Sequence, residues 1–107
     1  MNVERELELD DGSVLTFEWN YDKARSNLAK HGLAFEEAVV IFENDVLTIE
    51  DTSATGDLIE ISFGEIKHGM DAALVVCVVH TDRNENIRII SARRATAAER
   101  KRYDDYF

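Results

Sequence analysis

The stretch Ala72-Ala-Leu-Val-Val-Cys-Val-Val-His80 decides the fold. A continuous apolar run rich in β-branched valine is what a strand covered on both faces requires, so it is placed at the centre of a sheet. Asp82 to Glu85 carries turn chemistry, and Ile87 to Ala92 reads as the antiparallel return strand. On the other side, polar residues from Gly64 to Gly69 read as a turn, preceded by a strand over Leu58 to Phe63. Asp51 to Asp57 is a loop rich in Ser, Thr and Gly, and Leu47-Thr-Ile-Glu50 alternates as a short strand. Nearer the N-terminus, Arg5 to Leu9 alternates, Asp10 to Ser13 is turn chemistry, and Val14 to Trp19 resumes the alternation as the second arm of a hairpin.

Helices fill the remainder. Asn20 is a cap residue for a helix with few apolar side chains (Ala24, Leu28) that stops at Gly32. Phe35, Ala38, Val39, Ile41 and Phe42 fit a second helix of about ten residues, with Ala34 where a Ser or Asp cap would stand. Thr96 and Glu99 make a Thr-x-x-Glu capping box that opens a last helix through Tyr103. The order ββααββββα describes one α+β domain over residues 1–107: a small antiparallel sheet, two helices in the N-terminal half and one at the C-terminus. Residues 1–16 are read as an N-terminal hairpin extension.

The 107 residues are 45% hydrophobic, enough for a core without disulfides, and the single Cys77 falls inside the central apolar run, where a buried, inert thiol is expected. No signal peptide and no apolar stretch long enough to span a bilayer is visible, which leads to the expectation of a cytoplasmic chain with no membrane contact. Twenty-two acidic against 12 basic residues give a net charge of −10, which disfavours non-specific adhesion to nucleic acid. Yet seven of the 12 cations (Arg83, Arg88, Arg93, Arg94, Arg100, Lys101, Arg102) fall near the C-terminus, where a local cationic surface suits a phosphate. The acidic remainder suits a basic protein partner.

Two segments carry chemistry. In Ile87-Arg88-Ile-Ile-Ser-Ala-Arg93-Arg94, strict alternation places Arg88, Ile90 and Ala92 on one face and Ile87, Ile89, Ser91 and Arg93 on the other. Arg88, Arg93 and Arg94 then form either a cationic floor for phosphate oxygens and a phosphorane-like transition state, or an edge network of ion pairs with Glu99, Asp104 or Asp105. Lys30-His31-Gly32 closes a helix; His31 is suited to proton transfer near neutral pH, with Lys30 supplying charge, or simply to a helix C-terminus. Tyr103 either contacts a substrate or anchors the last helix, and His80 reads as structural. No metal-ligand spacing, phosphate loop or dinucleotide fingerprint is present, so no cofactor is expected and any hydrolysis is expected to be metal-free.

Phe17-Glu-Trp-Asn-x-x-Lys23-Ala-x-x-Asn27-x-x-Lys30-His-Gly-x-x-Phe35-Glu-Glu-Ala-x-x-x-Phe42, followed by Val78-Val-His-Thr-x-Arg83 and by Arg88-Ile-Ile-Ser-Ala-Arg-Arg-Ala-Thr96-x-x-Glu99-Arg-x-x-Tyr103, resembles the BrnT toxin family. The resemblance implies a compact RelE-like α+β fold and metal-independent RNA cleavage that blocks growth. It also implies a BrnA-type ribbon-helix-helix antitoxin in a two-plus-two assembly, which alone contacts DNA. His31, Arg88, Arg93 and Arg94 are then the catalytic candidates, with Lys30, Arg83 and Tyr103 binding substrate. One departure bears on activity: where the family carries an arginine just before the strand that ends in Gly64, this chain reads Leu58-Ile59-Glu60. The alternative is therefore a catalytically weak or inactive module that binds the antitoxin and tunes operon repression.

Overall fold

The computed structural model describes residues 1–51 and 58–107. In chain order the elements are β1 (Asn2–Glu8), β2 (Val14–Asn20), α1 (Tyr21–His31), α2 (Phe35–Ala38) continued by a 3₁₀ turn (Val39–Glu43), β3 (Leu47–Asp51), β4 (Ile59–His68), β5 (Asp71–Arg83), β6 (Asn86–Arg94) and α3 (Ala97–Tyr106). The strands form one sheet in the order β1-β2-β6-β5-β4-β3, an α+β architecture with β5, the valine-rich run, in its interior. Asp51 closes β3, and the rest of the loop read from Asp51 to Asp57 lies outside the described residues.

The sheet is mostly but not wholly antiparallel. β2 and β6 run parallel, with Phe17 opposite Ile87 and Glu18 opposite Arg88. The small antiparallel sheet expected from the sequence is present, with this one parallel junction within it. A hairpin can join only antiparallel neighbours, whereas the long excursion from β2 through α1, α2 and three further strands allows β6 to arrive in the same direction.

Two other elements differ from their sequence reading. The second helix is α-helical only over Phe35–Ala38, and the chain then tightens into the 3₁₀ turn. Three consecutive β-branched residues, Val39-Val40-Ile41, crowd an α-helical turn, and Ala34 has no side chain to cap α2, whose start has only the 3.4 Å hydrogen bond from Ala34 N–H to Glu37 Oε1. The Gly64–Gly69 turn is instead the second half of β4, which runs to His68. Gly64 serves close packing there: a Cβ at this position would sit 2.6 Å from Ile41 Cβ.

The larger core covers one face of the sheet, where Phe17, Trp19, Phe35, Ile41, Val78 and Ala92 pack beneath α1, α2 and the 3₁₀ turn. On the opposite face, Tyr103 of α3 packs on Phe63, Val75 and Cys77. A β-bulge sets what each face of β6 presents. Val79 lies opposite Ser91 but His80 opposite Ile89, so Ile90 is an extra residue on β6. Strict alternation therefore fails. Ile89 and Ala92 both join the larger core, and Arg88, Ser91 and Arg93 share the α3 face.

Candidate functional site

β6 delivers three arginines to different surroundings. Arg93 lies opposite Cys77 on the α3 face, and its Nη1 and Nη2 donate to the two carboxylate oxygens of Glu99 at 2.7 and 3.0 Å. Glu99 is also the third residue of the α3 capping box, its Oε1 accepting from Thr96 N–H at 2.8 Å while Thr96 Oγ1 accepts from Glu99 N–H. One carboxylate thus ends a strand and starts a helix. The Arg93 hydrogen bonds hold the Glu99 carboxyl down at about 2, against the upward push of burial. Arg93 in turn is held charged by Glu99.

Arg88, further back on the same face, donates from Nη1 to Glu18 Oε2 at 2.9 Å. Glu18 is 8% exposed, so this pair, formed across the parallel β2–β6 junction, is largely desolvated. Asn86 Nδ2 reaches the other Glu18 oxygen at 3.5 Å. Arg83 is exposed at the end of β5, and Tyr103, 8% exposed, is a packed anchor whose phenol is pushed up in pKa chiefly by burial. Of the ion-pair partners read for the β6 arginines, Glu99 is found, on Arg93; Arg88 finds Glu18, a partner that sequence reasoning missed.

The remaining candidates sit around the other face. Arg94 lies opposite Val76, one of the larger core's residues, and is exposed. Lys30 and His31 form the last turn of α1, which Gly32 closes in the left-handed conformation at φ 68°, its N–H donating to Leu28 carbonyl at 2.8 Å. Lys30 is exposed and His31 half-buried. What locates them is Asn27, a buried residue one helical turn earlier. Its Nδ2 donates to Ala92 carbonyl at 2.8 Å and to Leu33 carbonyl at 3.1 Å, and its Oδ1 accepts from Ala92 N–H at 3.1 Å. The helix ending in Lys30-His31 is thereby fastened to the strand beside Arg93-Arg94. Asn27 belongs to the quoted motif, but a lone asparagine in a helix gives no sign of which backbone it will bond.

His80 is structural, as read, and built into a buried polar chain. Thr48 Oγ1 meets Ser62 Oγ at 2.8 Å, and Ser62 Oγ meets His80 Nε2 at 2.7 Å. Burial pushes the His80 pKa below its ordinary value, only partly opposed by Asp82, and its ring lies edge-on to Phe42. His68 Nδ1 meets Glu37 Oε2 at 2.8 Å. Cys77 is buried, and burial raises its thiol's pKa, so it is unreactive. Among the described residues no three His, Cys, Asp or Glu side chains are grouped to hold a metal ion, and no helix is long and apolar enough to cross a membrane.

The predicted residues thus fall into two sets, which adjoin at Arg93 and Arg94 at the C-terminal end of β6, while Arg83 and Arg88 lie towards its start. Arg83, Arg88, Arg93 and Tyr103 belong to the α3 face, and Lys30, His31 and Arg94 to the opposite side. No curated protein matches the chain. Residues 19–99 match the family described as "ribonuclease toxin, BrnT, of type II toxin-antitoxin system". With that match running from β2 to the capping box of α3, the chain belongs to the BrnT family of type II toxin-antitoxin ribonuclease toxins.

Proposed function

We propose that this chain is a metal-independent endoribonuclease whose site lies at the end of β6, with His31 as proton carrier and Arg93 and Arg94 as stabilisers of the transition state. The observation that supports it most is the Asn27 bridge. It fixes a histidine and a lysine one helical turn beyond, and two adjacent arginines immediately after, a single pair of hydrogen bonds to Ala92. In this reading the 2′-oxygen attacks phosphorus and neutral His31 accepts its proton. The P–O5′ bond breaks to leave a 2′,3′-cyclic phosphate, and solvent protonates the departing 5′-oxygen. The guanidinium groups meet the charge that gathers on the phosphoryl oxygens, and Lys30, Arg83, Arg88 and Tyr103 contact flanking parts of the RNA.

A toxin of this class implies an antitoxin partner. The finer assignments belong to the same proposal: a BrnA-type ribbon-helix-helix protein in a two-plus-two complex, DNA contacted only through it, a RelE-like fold and a cytoplasmic location. A second reading, the catalytically weak antitoxin-binding module, draws on the carboxylates that already occupy Arg88 and Arg93 and on Leu58-Ile59 where the family carries an arginine.

Induced expression of the chain alone, beside His31→Ala and Arg94→Ala, separates the two. The expected result is growth arrest with EDTA-resistant cleavage of purified RNA, each substitution lowering the rate by roughly a hundredfold or more. Normal growth and intact RNA with well-folded protein would leave the binding module.

A further inference from the structure

Between α3 and the open face of the sheet lies a slot of about 180 Å³. Its apolar lining includes Ile49, Ile61, Phe63 and Val79, and its charged lining is Arg93, Glu99 and Arg102. The volume is roughly that of six waters in the liquid, which is the scale of a single flat heterocycle. Of its lining residues, only Arg93 takes part in the catalytic steps above.

The rim narrows the choice of occupant. Of the five N–H donors of a guanidinium, Arg93 spends two on Glu99 and a third on the Arg94 carbonyl, at 3.2 Å. The Glu99 fork therefore fixes the plane of the group, and among the described residues two donors stay available. Arg102, on the exposed side of α3, adds a second positive charge. Glu99 neutralises Arg93, so an aliphatic side chain would match the apolar lining but leave the Arg102 charge and the remaining Arg93 donors unmatched. A nucleotide matches both, because its base has an apolar π-face and an acceptor-rich edge and its phosphate is an anion. Cys77, also in the lining, stays a neutral thiol and adds no opposing charge.

We propose that this slot is a base-binding subsite, taking one unstacked nucleobase of single-stranded RNA next to the scissile phosphate, with the adjoining phosphate held at Arg93 and Arg102. The proposal rests on the ribonuclease reading for its substrate but not for its test. The slot is lined on one side by β3 and on the other by the strand that ends in Arg93-Arg94, so a base seated there belongs to a nucleotide close to the end of β6.

Methyl-labelled full-length protein is titrated with each of the four nucleoside monophosphates, and separately with ribose 5-phosphate and inorganic phosphate. Nucleotides are expected to shift the methyl resonances of Ile49, Ile61 and Val79 while the two base-free phosphates leave them in place. Slot methyls that stay silent to all four nucleotides, that respond equally to ribose 5-phosphate, or that move only when the antitoxin is added, overturn the proposal; the last result assigns the slot to a protein side chain. In parallel, Ile61→Phe and Val79→Phe fill the slot and are expected to raise KM for RNA by about tenfold with secondary structure intact. Wild-type KM and cleavage pattern in both would defeat the subsite and leave the ribonuclease reading standing. Slot shifts with nucleotides in a chain that cleaves no RNA would do the reverse.

Discussion

Asn27 satisfies three backbone groups on two other segments with one buried amide, and its removal leaves all three without their partner. Asn27→Ala is expected to destabilise the fold by about 1–3 kcal/mol, read as a lower denaturant midpoint at unchanged slope, because the Ala92 and Leu33 groups stay buried. The same variant should lower RNA cleavage in protein that is still folded, since His31 loses its fixed place relative to Arg94. Full activity in folded Asn27→Ala would remove the main support for placing the site there. At this scale the residue types of the site were legible in the sequence, and the partners were not. Glu18 sits 70 residues from Arg88, and nothing in an alternating strand announces that its glutamate will turn inward to an arginine.

The last helix shows which elements announce themselves. Its start at Thr96-x-x-Glu99 was readable because a capping box is local, as were the Asn20 cap of α1, whose Oδ1 accepts from Lys23 N–H at 3.0 Å, and the Gly32 stop. The length of β4, the 3₁₀ turn and the Ile90 bulge depend on neighbours distant in sequence, and local pattern missed them. Once formed, α3 is held by Tyr103, its one buried residue, and by Glu99, while the exposed Arg100–Asp104 and Lys101–Asp105 pairs add little. Glu99 has a folded pKa of about 2 against an ordinary 4.5, so its contribution is complete above pH 4.5 and is lost as the pH falls from there towards 2. The protection of α3 amides, measured relative to their intrinsic exchange rates at each pH, should therefore fall through that window. Glu99→Gln should abolish the acid step and cost roughly 1 kcal/mol at neutral pH, the pair being partly exposed. Acid-insensitive protection in the wild type would show that Tyr103 alone retains the helix.

Across the whole molecule, a charge of −10 on 107 residues sets acidic surface against itself. Added salt screens that repulsion, so moving from low to physiological ionic strength should raise Tm by a few degrees. A fall in Tm would mean that ion pairs such as Arg88–Glu18 outweigh the net charge. Composition made this property visible at once, whereas the strand order β1-β2-β6-β5-β4-β3 was hidden, because the parallel junction joins segments that the sequence keeps far apart. That junction also orders events during synthesis. β1 and β2 emerge from the ribosome first, yet the strand they must join is the last of the six to be made. Until β6 is free the hairpin has no sheet to enter and Asn27 no Ala92 to bond. On the proposed reading, the nascent chain is thus without its site until β6 has been made.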